Sequence, residues 1–181
     1  MSEQTITHDI HCGRCTTCCI EPLIPLNDDD VRQIVAATGM PVEKFVRFVG
    51  PDDVDWPEDA DEWIRLRTGL RLMVLRQIDD RCYFLGREGC LIYPHRPKIC
   101  RVFPVDFTFD DELNIVAVER QARIGRCTAR TPARPEWSEE LVQTGRELYA
   151  ADQAYQEQVI RWNREARPAG PQEFLAFLGL A

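Results

Sequence analysis

Four cysteines within eight residues constrain this chain of 181 residues more than any other feature of its sequence: Cys12, Cys15, Cys18 and Cys19. A Cys-x-x-Cys spacing lets a tight turn direct two sulfurs at one metal ion. Its repetition from Cys15 to Cys18 is typical of the three-cysteine loop that holds three irons of a 4Fe–4S cluster. Because Cys18 and Cys19 are adjacent, their side chains diverge in a regular backbone, and we expect them not to share one ion. One of the two would complete this site, while the other serves a second site or lies beside the ligands.

Four more cysteines bring the total to eight, and they are Cys82, Cys90, Cys100 and Cys127. Their spacing is irregular, but the two groups of four thiolates supply the eight ligands that two tetrathiolate sites need. We expect one member of this second group to join the first block, and Cys100 is the first choice because Pro97 restrains the chain beside it. The alternative is one local site in each group.

Four disulfides are the main alternative to metal binding. The N-terminus lacks the pattern of a signal peptide, which is a basic segment followed by an apolar run. We therefore expect a cytoplasmic protein, where reducing conditions favour metal-bound or catalytic thiols over disulfides. All eight cysteines are thus candidate ligands of an iron–sulfur cluster or of zinc.

Short motifs surround the second group of cysteines: Cys82-x-Phe-Leu, Cys90-x-Ile-Tyr, Arg96-Pro, Cys100-Arg and Phe103-Pro. Together with the first block, they resemble the YkgJ-type CxxCxxCC family over roughly residues 12–127. The resemblance implies a zinc- or iron-chelating domain in which all eight cysteines have a place. It implies metal binding more directly than it implies any activity.

Two arginines and a tyrosine of this segment are candidates for supporting the metal site. Four thiolates around a dication leave a net negative charge, which Arg96 or Arg101 would offset while donating hydrogen bonds to sulfur. An ordinary surface ion pair explains either arginine equally well. Tyr93 would be a core residue or a hydroxyl next to the ligands.

The pattern of apolar residues and turns predicts an α+β fold with a small antiparallel sheet, flanking helices, a cysteine-rich metal site and a long C-terminal helix. Asn27 is the expected N-cap of a helix that ends at Gly39. A second helix is expected from Pro41, because apolar residues recur at helical spacing as far as Val49. Strands are predicted over residues 70–78, 82–85, 105–109 and 115–118.

The long helix is expected to begin after Ser138, and a last short helix at Pro171. An apolar seam runs along the long helix at alternating spacings of four and three, through Leu141, Gly145, Leu148, Asp152, Tyr155, Val159 and Trp162. Packing across the body of the protein is favoured over a dimer contact, because the seam is short and carries a charge. We therefore predict a single domain over residues 1–181, with a cysteine core over 12–127 and a helical extension over 138–181.

Composition narrows the classes of function. Lys and Arg number 22 against 30 Asp and Glu, which gives a net charge of −8, and this argues against nucleic-acid and anionic-membrane partners. The apolar stretches are well short of the about 18 residues that a membrane span needs. We predict a metal-binding protein with a redox or structural role, with metal and, as a further possibility, a protein as its partners. The alternative is a cluster-dependent protein-modifying enzyme similar to flagellin lysine N-methylase, although neither a GxGxxG motif nor a P-loop is present.

Overall fold

The structure is a computed structural model that describes residues 16–20, 22–110, 112, 114–120, 139–165 and 169–181. Its helices are α1 (Asp28–Thr38), α2 (Val42–Phe45), α3 (Lys98–Val102), α4 (Glu139–Arg164) and α5 (Pro171–Phe177). Its strands are β1 (Val46–Val49), β2 (Ile64–Leu66), β3 (Gly69–Leu75), β4 (Gln77–Ile78), β5 (Arg81–Cys82), β6 (Leu85–Gly86), β7 (Gly89–Cys90), β8 (Val105–Phe109) and β9 (Ile115–Arg120).

The strands form several small antiparallel sheets, so the predicted α+β class is confirmed. The central sheet has the order β1-β3-β2, and the pairs β4-β5, β6-β7 and β8-β9 are separate two-stranded ribbons. The strand predicted over 70–78 is interrupted at Arg76, whose carbonyl accepts the amide N–H of Tyr83 at 2.9 Å. The strand predicted over 82–85 is likewise divided by a turn at Tyr83 and Phe84. These interruptions create the short ribbons on which two of the cysteines lie.

The second helix is shorter than the apolar spacing predicts. It ends at Phe45, and Val46–Val49 continue as β1, which pairs with β3 from Val46 opposite Leu75 to Val49 opposite Leu72. Val46 and Val49 are both buried. The prediction of a helix to Val49 was wrong because β-branched side chains suit a pleated surface, and an available partner strand outweighs a helical repeat.

Helix α1 follows its prediction closely. The Asn27 side chain accepts the amide N–H of Asp30 at the N-terminus, and Gly39 ends the helix with a φ of 64°. A residue without a Cβ adopts this left-handed conformation at little cost. Val31 and Ile34 are fully buried and anchor the helix in the core.

Helix α4 packs across the body of the protein, as the seam predicts. Leu141, Gly145, Tyr155 and Val159 are its buried residues, and Trp162 meets the ring of Phe174 of α5 edge-on at 5.2 Å. One hydrophobic cluster joins side chains from Leu26 through to Leu178. The predicted N-terminal residue Ser138 lies outside the described residues. Among the helices of the described part, none combines the length and the apolar character needed to cross a membrane.

Candidate metal centre

The structure describes five of the eight cysteines, namely Cys18, Cys19, Cys82, Cys90 and Cys100. All five are thiols rather than halves of a disulfide. The other three predicted ligands, Cys12, Cys15 and Cys127, lie outside the described residues.

Cys18 and Cys19 lie in a single 3-10 turn, Thr17–Cys19, which follows Thr16 in the left-handed conformation at a φ of 62°. Their sulfurs are 3.9 Å apart. A tetrahedral metal with sulfur ligands at ~2.3 Å has neighbouring sulfurs at about 3.8 Å. The two sulfurs therefore do not diverge as they would in a regular backbone, and the expectation that they do not share one ion stays a prediction.

Cys82 and Cys90 lie on the two short ribbons. Ile20 bridges to Arg81, which brings the 3-10 turn next to β5 and Cys82. The backbone N–H of Phe84 donates to the Cys82 sulfur, a contact that favours the thiolate. Cys90 pairs opposite Leu85 in the next ribbon.

Cys100 lies in α3, just after Pro97, whose carbonyl accepts the Cys100 amide N–H at 2.9 Å. The start of this helix is held against α1 at two points. The Lys98 amide donates to Oδ1 of Asp30 at 3.0 Å, and the Lys98 ammonium pairs with Asp29. Helix α1 thus positions a cysteine that is about seventy residues further along the chain.

Thiols from three regions of the chain lie close enough to raise one another's pKa. Burial raises the pKa of Cys100 well above its ordinary value, and Cys18, Cys82, Asp30 and Cys90 raise it further. Burial also raises the pKa of Cys82 to about 11, and Cys90 and Cys18 contribute to that rise. Cys18 of the first block is therefore close enough to affect Cys82 and Cys100, and the expectation that they share a metal site stays a prediction.

The donor set fits a thiophilic metal. With their raised pKa values, the thiols of Cys82 and Cys100 are neutral at pH 7, and a bound cation would displace their protons and balance the thiolate charge. Zinc and iron both accept such ligands. Among the described side chains, however, no three Cys, His, Asp or Glu groups already surround one point closely enough to hold an ion. The sulfurs are thus neighbours rather than a closed coordination shell.

The candidate supporting residues form a cluster of their own. Arg101 donates from Nε to the Arg96 carbonyl at 3.1 Å and from Nη2 to the Pro94 carbonyl at 3.3 Å. The Arg96 guanidinium lies 3.9 Å from the centre of the Tyr93 ring, and its buried Nε has no protein hydrogen-bond partner. These hydrogen bonds of Arg101 brace the turn before α3, so its role as a donor to sulfur stays a prediction.

Two groups at the site were not predicted from the sequence, namely the Asp30 carboxylate and the Phe84 backbone N–H. Asp30 has the position of an ordinary first-turn helix residue, and nothing in its spacing indicates a contact with α3. The Phe84 amide follows Cys82 by two residues, and the motif Cys82-x-Phe-Leu was the only signal available for it.

The structure is of the mixed α+β class, and separate segments of the chain bring thiols close together. These features are those of a cysteine-cluster protein. The family model of the CxxCxxCC family, described as a "putative zinc- or iron-chelating domain", matches residues 11–123. The match covers more than half of the chain, and the chain belongs to this family. The predicted resemblance is thereby confirmed. No curated protein and no solved structure matches the chain.

Proposed function

We propose that this protein binds a metal centre, either zinc or an iron–sulfur cluster, with the thiolates of Cys18, Cys82, Cys90 and Cys100 as ligands. The observation that carries the proposal is the coupling among these four thiols, which raises the pKa of Cys82 and Cys100 beyond the effect of burial. Such mutual repulsion is relieved when a cation lies among the sulfurs.

The remaining cysteines supply a second set of four, made of Cys12, Cys15, Cys19 and Cys127. Cys19 is assigned to that second set because Cys18, Cys82, Cys90 and Cys100 already supply four ligands to the first centre. Eight thiolates would then serve two tetrathiolate centres, as the cysteine count predicts.

The role of the centre depends on whether it contains zinc or an iron–sulfur cluster. Zinc would join segments that are far apart in sequence, and its binding free energy would add to the stability of the fold. An iron–sulfur cluster, the 4Fe–4S type above all, would add one-electron transfer or redox sensing. A cytoplasmic location belongs to the proposal, because reducing conditions keep ligand thiols available.

Metal analysis and a visible absorption spectrum of the anaerobically purified full chain test the proposal. Iron with sulfide and charge-transfer absorption identifies a cluster, whereas zinc without visible absorption identifies the structural site. A protein that contains neither metal and carries four disulfides by mass contradicts the proposal.

Serine variants test the choice of ligands. Cys100→Ser and Cys18→Ser remove members of the same set, so each should lose the same metal. Cys19→Ser is the matched comparison, because it removes the neighbouring thiol, 3.9 Å from that of Cys18, and should leave that centre loaded. Full metal content in Cys100→Ser, with an unchanged circular dichroism spectrum, would show that Cys100 is not a ligand.

A further inference from the structure

A cavity of about 100 Å³ lies between α1, α4 and the segment before β2 that contains Trp56 and Glu62. Its polar lining consists of the carboxylates of Asp30, Glu62 and Asp152 together with Trp56 and Tyr155. Much of the remaining wall is apolar, as at Leu72 and Leu148. Among the described residues, no candidate metal ligand lines it, although Ile99, the neighbour of Cys100, does.

The three carboxylates accept hydrogen bonds from neutral donors, while the charge of Lys98 acts on Asp30 and Asp152 without a direct ion pair. Asp152 accepts from the Asn27 amide at 2.8 Å, and Glu62 accepts from the Gln156 amide at 2.7 Å. Asp30 accepts from the backbone N–H of Lys98. Within the described part of the chain, no lysine or arginine forms a salt bridge with any of the three. Because Lys98 is already paired with Asp29, its single charge does not balance the three carboxylates of the lining.

Two further polar groups at the cavity have no hydrogen-bond partner among the residues that the structure describes. Tyr155 is 3% exposed, and this holds for its hydroxyl and for the buried Nε1–H of Trp56. A buried polar group without a partner costs free energy, so such groups point to a bound molecule or to ordered water. The indole N–H needs an acceptor, whereas the tyrosine hydroxyl can donate or accept.

The volume of the cavity and the chemistry of its lining restrict the occupant. At ~30 Å³ per water, the cavity holds about three waters or an organic molecule of similar size. The described carboxylates are not arranged to hold a metal ion. A small organic cation suits them better, because it spans separate carboxylates and also packs against apolar and aromatic side chains.

We propose that this cavity binds a small amino alcohol, whose ammonium group meets the carboxylates of Asp30, Glu62 and Asp152 and whose hydroxyl pairs with Tyr155 and Trp56. The ammonium group supplies the missing positive charge. The hydroxyl oxygen accepts from the indole and completes the hydrogen bonding of the tyrosine. Asp30 borders both this cavity and the thiols, since it also raises the pKa of Cys100, but the amino alcohol does not need a bound metal.

Calorimetric titration of the full chain with three compounds of equal size tests the proposal. The probe is 3-aminopropan-1-ol, and the matched compounds are n-butylamine, which lacks the hydroxyl, and 1,3-propanediol, which lacks the charge. All are compared at constant ionic strength, up to about 10 mM, because so small a ligand binds weakly at best. We expect saturable binding of the amino alcohol, weaker binding of the amine and none of the diol.

Variants link the binding to the cavity. Asp152→Asn should weaken binding of the amino alcohol at least about tenfold, because it removes a charge that the ammonium meets. Glu147→Gln removes the same charge from an exposed position of the same helix and should change nothing. Tyr155→Phe should lower the affinity for the amino alcohol toward that for n-butylamine, and leave the latter unchanged.

Three results would overturn the proposal. The first is the absence of saturable binding by the amino alcohol, which would leave the cavity to water. The second is equal binding of the amino alcohol and the diol, which would mean that the carboxylates do not recognise the ammonium. The third is an equal effect of Asp152→Asn and Glu147→Gln, which would place the binding elsewhere.

Discussion

At the scale of the residue, Asp152 is a carboxyl that the fold holds away from water. Burial raises the pKa of Asp152 from 3.8 to about 6, and the nearby Asp30 and Glu62 act in the same direction, against the hydrogen bond from Asn27 and the charge of Lys98. The folded protein therefore holds this proton more tightly than the unfolded chain does. The resulting loss of stability is absent below about pH 4 and is complete once the pH has risen past about 6.

Asp152→Asn removes this ionisation and keeps an oxygen that can accept from Asn27. We expect the variant to be more stable than the parent protein by about 1–3 kcal/mol at pH 8, since each unit of pKa shift corresponds to ~1.4 kcal/mol. The difference should shrink as the pH falls and vanish near pH 4. Urea unfolding at several pH values measures it, and Glu147→Gln is the control. A difference that does not change with pH would contradict this account of Asp152.

At the scale of the element, α4 and the β8-β9 hairpin meet at a glycine. A Cβ at Gly145 would lie 3.0 Å from two ring carbons of Phe107, closer than an ordinary contact. Phe109 of the same strand packs on Tyr149, one turn further along α4, with ring centres 4.9 Å apart. The absence of a side chain at Gly145 thus allows an aromatic strand to approach the helix.

Gly145→Ala tests this close approach. In an exposed helix the change would stabilise by about 1 kcal/mol, because alanine is the better helix former. Here we expect no gain or a net loss, since the Phe107 ring must move. In a Phe107→Ala background the same change should recover its gain, and thermal unfolding of the four proteins measures the coupling. An equal gain in both backgrounds would show that the ring yields without cost.

At the scale of the whole molecule, the family segment and the C-terminal helices share one core. Tyr155, Val159 and Phe174 are buried in the same cluster as Ile34 and Met73, which precede the region of Cys82–Cys100. We propose on this ground that residues 1–181 form a single domain, although the family model ends at residue 123.

Removal of residues 139–181 tests the single domain. Each large apolar side chain buried in the core contributes about 1.5–3 kcal/mol to a free energy of unfolding of about 5–15 kcal/mol. Losing several such side chains therefore removes most of that free energy. The truncated chain should therefore show no cooperative thermal transition by circular dichroism. Deleting only residues 179–181 is the control and should lower the melting temperature slightly. A truncated chain that melts cooperatively near the temperature of the full chain would mean that the extension is a separate unit.

The ends of helices depend on residues that are close together along the chain, so they could be predicted from the sequence. The ends of α1 follow from a cap at Asn27 and a left-handed glycine at Gly39, and Pro171 marks the start of α5, because these signals act within one helical turn. The spacing of the cysteines likewise identifies the family without reference to the fold.

Most contacts between distant groups could not be predicted from the sequence, although the approach of Cys100 to the first block was among its predictions. Val46–Val49 form a strand because β3 lies beside them, and Cys18 couples with Cys100 because α1 holds α3 through Asp30. The close approach of the Cys18 and Cys19 sulfurs depends on the 3-10 turn that contains them. Such contacts depend on pairing and burial across the chain, and local spacing carries no record of them.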